Sequence, residues 1–370
     1  MRPELPDLAL YVERVRDIWS SRMLSNFGKY AGEFERKVQG YLGNSCARVL
    51  ASGDVGLIVA LHALALPEGS EVVLPSFTFN STVNAVLWNR LVPVFCDIDP
   101  GTFCADPEDV ERAAGPRAAA VLATHVFGTP CDAERLRDLC HRRALALGFD
   151  AAHAFGSTYR GRRVGHLGDF EVFSFSGTKL VTSAEGGAVS CRTASMAERV
   201  EYARAYGFQG DYNSIHVGLN GKISELNAAL GSLTVDLVDS AVSRRSVLAG
   251  RYHENLTDLP MISFQEIPGD CTTTYKDFAI VCAQGRDALA AALRAAGIQT
   301  KTYFLPLHGM PAYRRYHRRP LPRTEELARH VLCLPIFNEM SLAEVDMVCD
   351  VIRIFFRPQR RRARSARRGA

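Results

Sequence analysis

Between Ala47 and about Cys191 the chain alternates short apolar runs with longer segments of mixed character. The runs Glu71–Pro75, Val92–Cys96, Ala118–Ala123 and Leu145–Phe149 are almost wholly apolar, the pattern of strands buried on both faces. The segments Val55–Leu66, Thr82–Asn89 and Ala133–Arg143 read as the helices that join them. Such alternation predicts an α/β fold, a mostly parallel sheet covered by helices. Ligands of these sheets sit beyond the carboxyl ends of the strands, which directs attention to Ser52, Phe77 to Phe79, His125, Asp150 and Ser174.

The pattern changes after Cys191. Lys222 to about Leu256 reads as a long helical stretch, with Leu226, Leu230, Leu233, Leu237 and Ala241 along one apolar face. Tyr275–Val281 then reads as a strand, Arg286–Ala296 as a helix ended by Gly297, and Leu342–Phe356 as a closing helix that Ser341 can cap. These features predict an N-terminal arm and large domain over residues 1–250, and a smaller α+β C-terminal domain over 251–356. Residues 357–370 read as a basic, disordered tail.

Composition narrows the classes of function. The formal charge of +4 comes from 44 basic and 40 acidic residues, but seven of the arginines lie between Arg357 and Arg368. Without them 37 basic residues face 40 acidic ones, a net of −3, so the body of the chain has no electrostatic footprint for nucleic acid. The ten cysteines include no Cys-x-x-Cys, which predicts scattered core thiols of a reducing cytoplasm, with no zinc site and no disulfide framework. The N-terminus mixes charged and apolar residues and lacks a signal-peptide core. The longest apolar stretch, Val55–Leu66, has twelve residues, short of the about 20 a membrane span needs. A cytoplasmic protein that does not cross a membrane is expected.

The chemistry is most legible at two strand ends. One strand closes on the carboxylate of Asp150, in Gly148-Phe-Asp-Ala-Ala-His153. The other leads through Ser174-Phe-Ser-Gly-Thr-Lys179 to the turn Glu185-Gly-Gly187. An amine and a strand-end carboxylate are what pyridoxal 5′-phosphate requires: one joins the aldehyde as a Schiff base, the other keeps the pyridine nitrogen protonated. Ser52-Gly-Asp54 opens a helix, whose free backbone N–H groups make a seat for a phosphate. No Gly-x-Gly-x-x-Gly follows a predicted strand, so a dinucleotide-binding dehydrogenase is a poor alternative.

Taken in order with Pro75-Ser-Phe-Thr-Phe-Asn-Ser-Thr-Val-Asn-Ala85, Gly218-Leu-Asn-Gly-Lys222 and Tyr303-Phe-Leu-Pro-Leu-His308, these motifs resemble the DegT/DnrJ/EryC1/StrS family of PLP-dependent sugar aminotransferases from about Asn26 to Ile352. The resemblance implies fold type I, like aspartate aminotransferase, and a homodimer with shared active sites. It makes Lys179 the Schiff-base lysine and proton carrier and Asp150 the partner of the pyridine nitrogen. It places Phe79 on the pyridine face, His153 near the phenolic oxygen, and Ser174 with Gly53, Asp54 and Val55 at the phosphate. Asn220 is implied to reach that phosphate from the other subunit, while Tyr303, His308 and Lys222 are candidates for the sugar.

Two positions depart from the family pattern. Asp54 stands where threonine is usual, so its backbone amide and that of Val55 are expected to hold the phosphate, with the side chain capping the helix or facing away. Lys222 stands where arginine is common, a point charge in place of a planar fork. The implied reaction passes an amine from glutamate or glutamine to a nucleotide-linked ketosugar, most simply a dTDP-4-keto-6-deoxyhexose at C4. Members that remove a hydroxyl carry histidine at the lysine position, so Lys179 argues for amination. A C3-ketosugar, a keto-inositol, or a regulatory protein that binds the cofactor without turnover are alternatives.

Overall fold

The computed structural model describes residues 2–367, with side chains described as far as Arg357. Its centre is a seven-stranded sheet built from β1 (Ala47–Leu50), β2 (Glu71–Pro75), β3 (Val92–Cys96), β4 (Ala118–Thr124) and β5 (Ala146–Asp150), then, past the short hairpin β6–β7 (Thr158–Tyr159 and Arg162–Arg163), β8 (Phe170–Ser174) and β9 (Gly187–Cys191). The order is β1-β9-β8-β5-β4-β2-β3. The five strands from β3 to β8 in that order pair in parallel, and only β9 runs against its neighbours.

Alternate strand residues feed two cores, as the twofold repeat of a strand requires. Val72, Leu74, Leu122, Val172 and Val189 face one core. Two helices precede β1 in the chain, α1 (Leu8–Ser21) and α2 (Lys29–Leu42), and this core is closed by Leu57, Ala60 and Leu61 of α3 (Gly53–Ala63), Val83 and Val86 of α4 (Asn80–Trp88), and Val200 of a helix over Ala194–Arg204. Val73, Val121, Phe149 and Phe173 face the other, against Phe34 and Val38 of a helix over Lys29–Leu42 and Leu136 and Leu139 of Ala133–Arg143. The predicted strands and helices of this half are all present, Glu71–Pro75, Val92–Cys96 and Ala133–Arg143 with the expected ends and the others with ends shifted by at most three residues.

The long helical stretch expected from Lys222 is two helices, Glu225–Thr234 and Val238–Leu256, divided by a 3-10 turn. Ser224 delays the start, because its side chain accepts the Asn227 N–H as an N-cap. The buried face also differs from the leucine stripe. Ala228, Ala229 and Gly231 are buried, while Leu226, Leu230 and Leu233 are half-buried. Close approach is the reason: a Cβ on Gly231 would lie 2.7 Å from the Phe34 ring.

A second antiparallel sheet, β10-β12-β13 (Ile262–Phe264, Phe278–Cys282, Val331–Leu334), follows, while β11 (Cys271–Thr272) pairs back to the hairpin strand β6. The second sheet packs on Val238–Leu256, on a helix over Arg286–Ala295 and on the closing helix Leu342–Arg367. Ser341 caps that last helix in a reciprocal box: its Oγ accepts the Glu344 N–H at 3.2 Å and Glu344 Oε2 accepts the Ser341 N–H at 2.7 Å. The backbone is helical to Arg367, but the side chains beyond Arg357 and residues 368–370, where the basic tail was expected, lie outside the described residues. All ten cysteines are free thiols and nine are buried. Among the described residues no helix is long and apolar enough to cross a membrane.

Candidate active site

The carboxyl ends of β1, β4, β5 and β8 open onto one cavity of about 340 Å³. Parallel pairing sets the juxtaposition: Thr124 is in register with Asp150, and Asp150 with Val172. Lys179 arrives from the loop after β8, and Phe79, Tyr303, Phe304 and Lys276 complete the wall.

Asp150 is 4% exposed. Its Oδ2 accepts the Thr82 hydroxyl at 2.7 Å and its Oδ1 the Ala152 N–H at 3.1 Å. Burial pushes its pKa up, while those two bonds and the Lys179 cation oppose the rise. The Lys179 amine is pushed down to about 8, first by burial and then by Lys276, with Asp150 and Asp277 opposing. His153 is held well below its ordinary range by burial and by Lys179, Lys276 and Lys301, so the ring is neutral. Its Nδ1 is buried and has no hydrogen-bond partner within the chain, an orphan that a bound group would satisfy.

The anion seat forms where β1 turns into α3. Ser52, not Asp54, is the N-cap, and its Oγ accepts the Val55 N–H at 3.2 Å. This corrects two expectations. Val55 has already given its amide to the cap and does not line the cavity, so Gly53 and Asp54 carry the seat. The Asp54 side chain does not cap the helix: the residue is exposed at the cavity, and its charge is felt by Lys179 and Asp150. Ser174 faces Gly53 so closely that a Cβ there would lie 3.0 Å from the serine Cβ. Gly187 is tighter still, since its Cβ would fall 2.5 Å from the Ser52 carbonyl.

Phe79 lines the cavity and is 57% exposed, leaving an aromatic side chain available to a planar ligand. Tyr303 lines the cavity, and its hydroxyl accepts from Lys301 Nζ at 3.1 Å. His308 is a correction. It is 5% exposed, absent from the cavity, and held between Ser76 Oγ at 2.7 Å and Glu325 at 3.4 Å, so it is a packed loop residue. Lys222 does not reach the cavity of its own chain either; its Nζ sits 4.0 Å from the Tyr206 ring centroid. Asn220 is exposed and likewise away from it.

Sequence reasoning missed Lys276, a lysine 2% exposed whose Nζ lies 2.9 Å from Asp277 Oδ2. A lone lysine before a strand carries no local signal of burial. It also missed Thr124, and it marked Thr78 only as part of the strand end Phe77 to Phe79, although Thr78 and Thr82 stand four apart across the start of α4.

A neutralisable amine, a carboxylate held by hydroxyl and amide donors, a helix N-terminus pressed open by glycine, an unpartnered imidazole nitrogen and an exposed aromatic ring form a set that fits pyridoxal phosphate. Comparison with known proteins agrees. Residues 9–353 match the DegT/DnrJ/EryC1/StrS aminotransferase family. The GDP-perosamine synthase of Escherichia coli O157:H7 is 31% identical, covering 93% of this chain and 95% of that protein. The dTDP-4-amino-4,6-dideoxy-D-glucose transaminase of Escherichia coli is also 31% identical, over 92% and 94%. The crystal structure of DesI, solved in the presence of its TDP-sugar product, superposes with a TM-score of 0.91 at 36% identity, over 99% of this chain and 94% of that one.

Proposed function

We propose, for a chain that belongs to the DegT/DnrJ/EryC1/StrS aminotransferase family, that it transfers an amine from glutamate or glutamine to C4 of a dTDP-4-keto-6-deoxyhexose. The protein is a PLP-dependent sugar aminotransferase of fold type I. The choice of sugar is supported by the names of the transaminase relative and of DesI with its TDP-sugar product. The observation that carries the reading of the site is the delivery of Lys179 and Asp150 into one cavity.

Bound pyridoxal phosphate supplies an electron sink for the carbon that gains or loses nitrogen. The protein's residues set its place and the proton's path. Gly53 and Asp54 amides at the α3 N-terminus, with the Ser174 hydroxyl, hold the phosphate. Asn220 of a second copy reaches the same phosphate, so the working unit is a homodimer. Phe79 would cover one face of the ring, and the neutral His153 imidazole would lie at its polar edge. Anionic Asp150 keeps the proton on the ring nitrogen. Lys179 Nζ, half freed of its own proton near pH 8, would hold the aldehyde, and once the incoming amine displaced it the free amine would carry the proton to and from the reacting carbon. Residues 1–250 form the domain that carries the cofactor, and 251–356 bring Lys276 and Tyr303 over it from the substrate side.

Incubation with a panel of nucleotide ketosugars and either amino donor, read by mass spectrometry, tests the assignment. A 4-amino product from the dTDP-4-keto-6-deoxyhexose is expected. Amination of only a C3-ketosugar or a keto-inositol would overturn the substrate.

A further inference from the structure

Three threonine hydroxyls stand in line behind Asp150. Thr82 Oγ1 donates to Asp150 Oδ2 at 2.7 Å, Thr78 Oγ1 lies 2.9 Å from Thr82 Oγ1, and Thr124 Oγ1 lies 2.9 Å from Thr78 Oγ1. All four residues are at most 5% exposed. A hydroxyl has one proton to give. Because that of Thr82 goes to the carboxylate, Thr78 must donate to Thr82, and Thr124 to Thr78. The direction of every link is therefore set by the anion at the end, and each bond polarises the next.

We propose that Thr82, Thr78 and Thr124 are positioning residues of the reaction, a one-way hydroxyl relay that holds Asp150 ionised and aimed at the cofactor's ring nitrogen. The relay rests on the role given to Asp150 above. Its components come from separate elements: Thr78 from the turn after β2, Thr82 from α4, and Thr124 from the end of β4. The other charges acting on Asp150 are Lys179, which favours its ionised form, and Asp54, which opposes it. Burial opposes it too, so the hydroxyl donors offset a cost that the fold itself imposes.

The test compares Thr82→Val, Thr82→Ser, Thr78→Val and Asp150→Asn as purified holoproteins, reading the pH midpoint of the bound cofactor's absorbance change, cofactor affinity, kcat and KM. Thr82→Val keeps the side-chain shape but removes the donor. The carboxylate then holds a proton more tightly and the ring nitrogen less so. The imine nitrogen, conjugated to a ring that then draws electrons less, keeps its proton to higher pH, so the midpoint should move to higher pH, and kcat should fall about tenfold or more, the scale of a hydrogen bond to a charged group, with KM for the amino donor little changed. Thr78→Val should shift the midpoint the same way by less, and Thr82→Ser should restore wild-type values. If Thr82→Val retains the wild-type midpoint and kcat while Asp150→Asn loses both, the relay is overturned and the role of Asp150 stands. If Asp150→Asn is also without effect, both fall. A shared loss of thermal stability in the valine variants with no spectral shift would reduce the threonines to packing and overturn the relay as well.

Discussion

Replacing Lys179 by methionine is expected to abolish turnover and yet make the cofactor-free protein more stable. The amine has a pKa of about 8 in the folded chain against an ordinary 10.5. The residue as a whole is half-buried, but its charged end lies deep enough that burial is the first cause of the shift. At about 1.4 kcal/mol per unit, the protonated amine costs folding at most about 3 kcal/mol at neutral pH. Between pH 8 and 10.5 the unfolded chain binds the proton and the folded chain does not, so wild-type stability rises with pH across that window. Methionine fills similar space without a charge. Its advantage should therefore be full below pH 8, shrink to about 1 kcal/mol at pH 9.5, and vanish near 10.5. Urea unfolding of the two apoproteins at pH 7 and pH 9.5 measures this directly. A methionine variant less stable than wild type at pH 7, or an advantage equal at both pH values, would refute the account of a desolvated amine.

Further substitutions test other parts of the site. Asp150→Asn should keep its circular dichroism spectrum and lose most turnover; unchanged turnover contradicts the pyridine-nitrogen role. Lys276→Gln removes the second cause of the Lys179 shift, so the pH midpoint for uptake of pyridoxal phosphate by apoprotein should rise above about 8, and a fixed midpoint counts against it. His308→Leu should cost about 1–3 kcal/mol in a thermal or urea melt through its lost bonds to Ser76 and Glu325, with kcat unchanged. Gly187→Ala drives a Cβ into the Ser52 carbonyl at 2.5 Å, which should displace the α3 N-terminus and weaken cofactor binding about tenfold or more in an equilibrium titration.

Much of the site could be read before any coordinates were known, because its members stand at ends of elements. A residue at the carboxyl end of a buried parallel strand has little choice of location, so Asp150 and Ser174, and Lys179 just beyond the latter, reach the same rim once the strands are recognised. Asn220 and Lys222 behaved otherwise: both lie in an irregular segment whose path local pattern does not dictate, and neither reaches the cavity of its own chain. His308 shows a third case, since a histidine in a loop can equally be ligand contact or packing until its neighbours are known. The leucine stripe of Glu225–Thr234 failed for a related reason: hydrophobicity marks faces that can be buried, whereas the close approach of Phe34 selects the face with the smallest side chains.

By itself the order of apolar runs, turns and polar strand ends determined the parallel sheet, the helices on its two faces, and the amine and carboxylate that make a coenzyme site. Those are properties of segments a few residues long, and short-range periodicity is enough to specify them. Tertiary structure alone decided that Lys276 is buried beside Lys179, that Ser52 rather than Asp54 closes the helix, and that three threonines from separate elements align behind Asp150. Burial depth and hydrogen-bond direction depend on what the rest of the chain places within a few ångströms, and distance in space is the one quantity that spacing along the chain does not carry.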